Sequence, residues 1–168
     1  MNLSDWIDRH ADFTPDKVAI QCRDSGLTYA EMAHDVARLA HALRHRLNVS
    51  RGDRIALLAQ NAIQSLVLAF ACARIGAIFQ PLNWRQAAAE HTYTLSNAAP
   101  KALFVEAMFK SIVEDITGNI PPMAFINLKE NETSGWPSYQ DLIDEAPNGL
   151  AADPAVSLED SFLLCYTS

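Results

Sequence analysis

Gly52-Asp53-Arg54-Ile55-Ala56-Leu57-Leu58-Ala59 is a polar turn feeding a short apolar run, and Ala77-Ile78-Phe79 is a second such run. Between them Ile63, Leu66, Val67, Phe70, Ala71 and Arg74 recur at spacings of three and four, the period of a helix. Short apolar runs bounded by turn residues suit strands covered on both faces, as in parallel sheets. A strand, a helix apolar on most sides and a second strand make one βαβ unit. Gly76 stops the helix. Asn61 is expected to cap its start.

The alternation continues in both directions. Upstream, Val18-Ala19-Ile20-Gln21-Cys22 reads as a strand and Asp24-Ser25-Gly26 as a turn. Thr28-Tyr29-Ala30-Glu31 is a capping box, and Met32, Val36, Leu39, Leu43 and Leu47 form the buried stripe of the helix it opens. Leu3, Trp6, Ile7 and His10 predict a short amphipathic helix before it. Downstream, residues 86–97 read as a helix, Ala102-Leu103-Phe104-Val105 as a strand, and Met108, Phe109, Ile112, Val113 and Ile116 as a helix. Met123-Ala124-Phe125-Ile126-Asn127-Leu128 gives a strand, 129–137 a loop, and Tyr139, Leu142 and Ile143 a short helix. A linker over 146–157 leads to Phe162-Leu163-Leu164-Cys165-Tyr166-Thr167-Ser168, expected to be a buried strand. The fold class is α/β, a largely parallel sheet flanked by helices, and residues 1–168 read as one incomplete amino-terminal domain.

Composition narrows the function. A net charge of −7 and a pI near 5.1 argue against a nucleic-acid partner, which needs a basic stripe. The longest apolar run, 66–73, is far short of the ~20 residues of a membrane span. Cys22, Cys72 and Cys165 are dispersed, each in an apolar run, and read as small buried hydrophobes of a reducing, cytoplasmic compartment. His34, Arg38, His41 and His45 line the face opposite the apolar stripe. Histidines four apart can share a metal, but no carboxylate or cysteine completes a set on that stripe, so a solvated face is the expectation.

The familiar catalytic templates are missing: no G-x-G-x-x-G, Walker A, H-E-x-x-H or G-x-S-x-G occurs. Position is the one local signal. Thr167 and Ser168 fall at the carboxyl end of a strand, where open α/β sheets bind ligands.

Several segments, in order, resemble the adenylate-forming (AMP-binding) superfamily. Leu27-Thr28-Tyr29-Ala30-Glu31-Met32 is similar to its L-T-Y-x-E-L, and Gly52-Asp53-Arg54-Ile55-Ala56 to its G-D-R-V-A. Ala71-Cys72-Ala73-Arg74-Ile75-Gly76-Ala77 is similar to A-x-x-x-x-G-A, and Pro81-Leu82-Asn83-Trp84-Arg85 to P-L-N-x-R. Glu90 falls where an E-L pair is usual, with His91 in place of the leucine. Tyr166-Thr167-Ser168 resembles the start of Y-T-S-G-T-T-G-x-P-K-G, the ATP phosphate loop. P-L-N rather than P-I-D points to the acyl-CoA synthetase branch.

The resemblance implies a carboxylic acid, fatty or aromatic, as substrate, with ATP, Mg2+ and coenzyme A. An acyl-adenylate and pyrophosphate form first, and coenzyme A then displaces AMP. Thr167 and Ser168 would begin the phosphate loop. Arg85 is a candidate for a coenzyme A phosphate contact, with a helix-start cap as the plain alternative. Asp53 and Arg54 read as a turn and an exposed charge, and Trp84 as packing beside the same loop as Arg85. The family's loop glycines and lysine would follow Ser168, so these 168 residues alone are expected to be inactive. A free-standing, non-catalytic α/β binding module derived from such an enzyme is the alternative, and a homodimer is left open.

Overall fold

The computed structural model describes residues 2–129, 135–146 and 150–166. Its centre is a four-stranded parallel sheet. β3 (Arg54–Leu58) pairs with β4 (Ile78–Pro81) on one edge and β5 (Ala102–Val105) on the other, and β6 (Ala124–Asn127) extends the sheet past β5. The remaining strands, β1 (Val18–Cys22) and β2 (Ser25–Thr28), form a separate antiparallel hairpin.

The sequence period decides the layers. Ile55 and Leu57 of β3 point to one face, with Phe79, Phe104 and Ile126. There α2 (Tyr29–His45) and α3 (Ile63–Ile75) cover them with Leu39, Leu43, Leu68 and Ile75. Ala56 and Leu58 point to the other face with Leu103 and Val105. Here α4 (Ala88–Ala98) supplies Leu95, and α5 (Lys110–Ile116) supplies Val113 and Ile116. Strands buried on both faces need no alternation of polar and apolar residues, which is why these runs are continuously apolar. α1 (Asp5–Phe13) and α6 (Tyr139–Asp144) pack against α2.

The capping box forms as read: Glu31 N donates to Thr28 Oγ1 (3.3 Å), and Thr28 N donates to Glu31 Oε2 (2.8 Å). The bond from Thr28 N, with a second from Thr28 Oγ1 to the same carboxylate (2.9 Å), holds the Glu31 pKa below its ordinary value. Gly76 ends α3 in the left-handed region (φ 72°).

Several expectations are corrected. Ser25 and Gly26 belong to β2, so the turn is at Arg23-Asp24, with Arg23 taking the positive φ (56°). Asn61 does not cap α3; Ala62 occupies that position with no side-chain bond. Cys72 is buried, but Cys22 is half-buried and Cys165 exposed.

The segment 162–166 is not a buried strand. It touches β4 through one parallel bridge, Phe79 with Leu163, in which Phe79 N donates to Phe162 O (2.8 Å) and Leu164 N to Phe79 O (2.9 Å). Leu163 is 51% exposed, because no described strand covers its far side. Apolarity alone does not bury a strand that lacks a second neighbour. Thr167 and Ser168 lie outside the described residues, as do five residues of the 129–137 loop.

Candidate functional site at the carboxyl end of the sheet

The order β4-β3-β5-β6 reverses direction between β3 and β5, because the chain goes from β3 to one neighbour and later returns to the other. Ligands of open α/β sheets bind beyond the carboxyl ends at such a reversal. Two loops leave the sheet on this side from β3 and β5. They are tied by Gln60 N donating to Glu106 Oε2 at 2.8 Å, a contact with no recognisable sequence signal.

Loop 82–87 leaves β4 on the same side. Leu82 is buried under it, and Leu82 N donates to Leu57 O (2.8 Å). Asn83 Oδ1 accepts from Arg85 N (3.1 Å), an Asx turn that starts the approach to α4. Trp84 is half-buried, its ring 6.2 Å from that of Phe109 after β5. The Arg85 guanidinium lies 4.3 Å from the centre of the Trp84 ring. The side chain is exposed and has no carboxylate or carbonyl partner among the described residues. It therefore does not cap a helix. The cap at α4 is Glu90, whose Oε2 accepts from Ala87 N (2.8 Å).

Because 162–166 runs parallel to β4, its carboxyl end arrives beside this loop. Cys165 and Tyr166 share an open cleft of about 260 Å³ with Asn83, Gln86 and Thr94. Tyr166 is fixed there: its hydroxyl donates to Asn97 Oδ1 (2.6 Å), and its ring meets Tyr93 edge-on at 6.5 Å. The chain leading to Thr167 and Ser168 and the loop carrying Arg85 thus converge, though 80 positions separate them in sequence (165 minus 85). No metal cluster accompanies them: among the described residues no three His, Cys, Asp or Glu side chains come together.

The other residues singled out in sequence fall elsewhere. Asp53 and Arg54 sit at the opposite, amino end. Arg54 is half-buried rather than exposed, and its guanidinium donates to Ala98 O (2.7 Å), Gly52 O (3.1 Å) and Ala99 O (3.2 Å). On α2, His34 and His45 are exposed and His41 half-buried, with the His41 and His45 rings 4.3 Å apart. His91 is the residue that sequence reading undervalued. It is 1% exposed, on the buried stripe of α4 with Thr94, Leu95 and Ala98.

Comparison with known proteins agrees with this geometry. The model of the AMP-binding enzyme family matches residues 7–168. An indoleacetate–CoA ligase of Aromatoleum aromaticum is 39% identical over 100% of this chain and 32% of its own length. A feruloyl-CoA synthase of Amycolatopsis is 32% identical over 99% of this chain and 30% of its own. The crystal structure of the anthranilate CoA ligase AuaEII with anthranoyl-AMP superposes with a TM-score of 0.93 at 25% identity, covering 100% of this chain and 32% of that one. A fatty acyl CoA synthetase of Mycobacterium tuberculosis gives 0.80 at 27% identity, covering 99% and 32%. The chain spans about a third of the length of these relatives. A four-stranded reversing sheet, a P-L-N-W-R loop at its carboxyl end and a Tyr166 segment laid beside that loop are carried by a chain that belongs to the AMP-binding enzyme family.

Proposed function

We propose that this chain is the amino-terminal part of an acid–thiol ligase that converts a carboxylic acid, ATP and coenzyme A to acyl-CoA, AMP and pyrophosphate through an acyl-adenylate. Family membership over residues 7–168 supports the reaction class. The relative at 39% identity acts, by its name, on indoleacetate, which favours an aromatic acid over a fatty one as the first substrate to test.

One observation carries the site assignment: among the described residues Arg85 is a charged side chain with no hydrogen-bond acceptor, at the carboxyl end of the sheet and stacked on Trp84. A planar guanidinium free of protein acceptors is suited to a phosphate. We assign it to a phosphate of coenzyme A. Thr167 and Ser168 we assign to the opening of the ATP phosphate loop, since Tyr166 is anchored in a cleft that Asn83 and Gln86 of loop 82–87 also line. Magnesium would help neutralise the nucleotide's phosphates. We place the enzyme in the cytoplasm, consistent with three free cysteines and with no described helix long and apolar enough to cross a membrane.

The test is Arg85→Ala in the whole enzyme. A lost charge-assisted hydrogen bond of about 1.5–3 kcal/mol corresponds to a KM for coenzyme A raised roughly 10- to 100-fold. ATP–pyrophosphate exchange driven by the acid should stay within about twofold, because adenylation precedes coenzyme A in the scheme. An unchanged KM removes Arg85 from the coenzyme A site, and no acid-dependent exchange in the parent enzyme rejects the reaction itself.

A further inference from the structure

The segment leading to Thr167 and Ser168 is a parallel strand held by little backbone. Among the described residues two main-chain bonds join it to β4, both at Phe79. Its side chains nonetheless alternate: Phe162, Leu164 and Tyr166 are half-buried, and Leu163 and Cys165 are exposed. A slip of one residue would reverse that pattern and move the end of the segment by about 3.3 Å. A half-covered strand with two backbone bonds specifies its register weakly, so side chains must supply the rest.

An anchor stands at each end. At the far end the Tyr166 hydroxyl donates to Asn97 Oδ1 (2.6 Å). At the near end, two residues before Phe162, both carboxylate oxygens of Asp160 are used. Oδ2 accepts from Ser157 N (2.8 Å) and, with Asp160 N donating to Ser157 O (3.3 Å), folds 157–160 into a turn. Oδ1 accepts from Arg51 Nη2 (2.5 Å), a partner 109 positions away. The Ser157 amide, and after it Arg51, hold the Asp160 carboxyl below its ordinary pKa, so it is charged at neutral pH.

Arg51 stands on a firm post. Its turn is closed by Ser50 N donating to Asp53 Oδ2 (2.8 Å) and by Asp53 N donating to Ser50 O (3.0 Å). Ile78 N donates to Asp53 O (2.7 Å), which ties the turn to the residue before Phe79. The Arg51 stem lies over Gly76, where Val156 of the linker also packs. The turn, β4 and 160–164 therefore close one ring, and the ion pair is the link that fixes Asp160 relative to Phe79.

We propose that Arg51 and Asp160 are positioning residues that lock the register of 162–166 on β4 and so set where the ATP phosphate loop begins. The consequence for ATP rests on the assignment of Thr167 and Ser168 made above. Arg44 and Asp153, 2.9 Å apart, are the control pair, because Asp153 lies nine positions before Phe162 (162 minus 153).

Amide hydrogen exchange at Leu164, whose N–H makes one of the two bridge bonds, reads the lock on the protein as expressed. Arg51→Ala should lower its protection about two- to fivefold, the range of an exposed ion pair, and Arg51→Lys should recover part of the loss. Asp153→Ala should leave Leu164 unchanged. Unchanged protection in Arg51→Ala, or an equal fall in Asp153→Ala, overturns the proposal. Should Arg51→Ala fail to fold, Asp160→Asn, which keeps an acceptor for Ser157 N, is read in the same way. In the whole enzyme Arg51→Ala should raise the KM for ATP in acid-dependent ATP–pyrophosphate exchange by a similar factor and leave the KM for the acid unchanged. A loosened Leu164 with an unmoved KM for ATP overturns the positioning role. No acid-dependent exchange in the parent enzyme rejects the ligase reading instead, and the Leu164 amide then decides the lock by itself.

Discussion

The two ends of the parallel sheet use arginine in opposite ways. At the amino end Arg54, Arg51, Arg44 and Arg74 all have acceptors. Arg54 donates to three carbonyls around the end of α4, where a positive charge also faces the negative pole of the helix. Arg51 reaches Asp160 (2.5 Å), and Arg44 reaches Asp153 (2.9 Å) and Ile75 O (3.2 Å). Arg74, buried, is committed to Asp8 and Leu150 O. At the carboxyl end Arg85 has, among the described residues, the face of Trp84 and no acceptor for its side chain. A guanidinium held by carbonyls is a strut, whereas one resting on an indole keeps all its donors for something that arrives later. The amino end is therefore built for rigidity and the carboxyl end for a ligand.

The strongest way to break that contrast is at Gly76. Its φ of +72° suits glycine, and an added Cβ would lie 2.7 Å from Val156 Cγ2 and 2.9 Å from Arg51 Cγ. Its carbonyl also accepts from Gly52 N (2.8 Å), closing the turn before β3. Left-handed strain and overpacking together put Gly76→Ala at about 2–4 kcal/mol of lost stability by urea denaturation. A loss under about 1 kcal/mol would show that the amino end yields easily and is not the rigid side.

Arg54→Ala comes next. Three hydrogen bonds to a charged donor, discounted because the side chain is half exposed to solvent, give a loss of about 1–2 kcal/mol. Arg54→Lys should recover only part of it, since one ammonium cannot span Gly52, Ala98 and Ala99 as a planar fork does. Full recovery would mean that charge at the helix end, not the fork, is what the position supplies.

Why the sequence showed one end better than the other follows from the same physics. β3, β5 and β6 were legible because strands buried on both faces are continuously apolar, and Thr28 and Glu31 were legible because capping is local. Loop 82–87 was placed by motif, but the freedom of Arg85 was not visible, since being unpaired depends on which carboxylates the fold brings near. Arg54 was misread for the complementary reason: its acceptors, Ala98 and Ala99, lie 44 and 45 positions away. His91 looked like a simple departure from an E-L pair, and its burial depends on what the fold packs against α4, which the local sequence does not state. The segment 162–166 carries apolar residues suited to a covered strand, yet coverage is supplied by neighbours and not by its own composition.

Arg85→Ala is the smallest expected effect on stability and the sharpest test of the contrast. An exposed cation–π contact contributes about 0.5–1 kcal/mol, and no described acceptor is left bare by the change. The loss should therefore be well below that of Arg54→Ala measured under the same conditions, and Arg85→Lys should be nearly silent. A loss matching Arg54→Ala would mean that Arg85 is also a strut with acceptors in the folded protein. Its availability to a phosphate, and the division of the sheet into a rigid end and a ligand end, would then fall together.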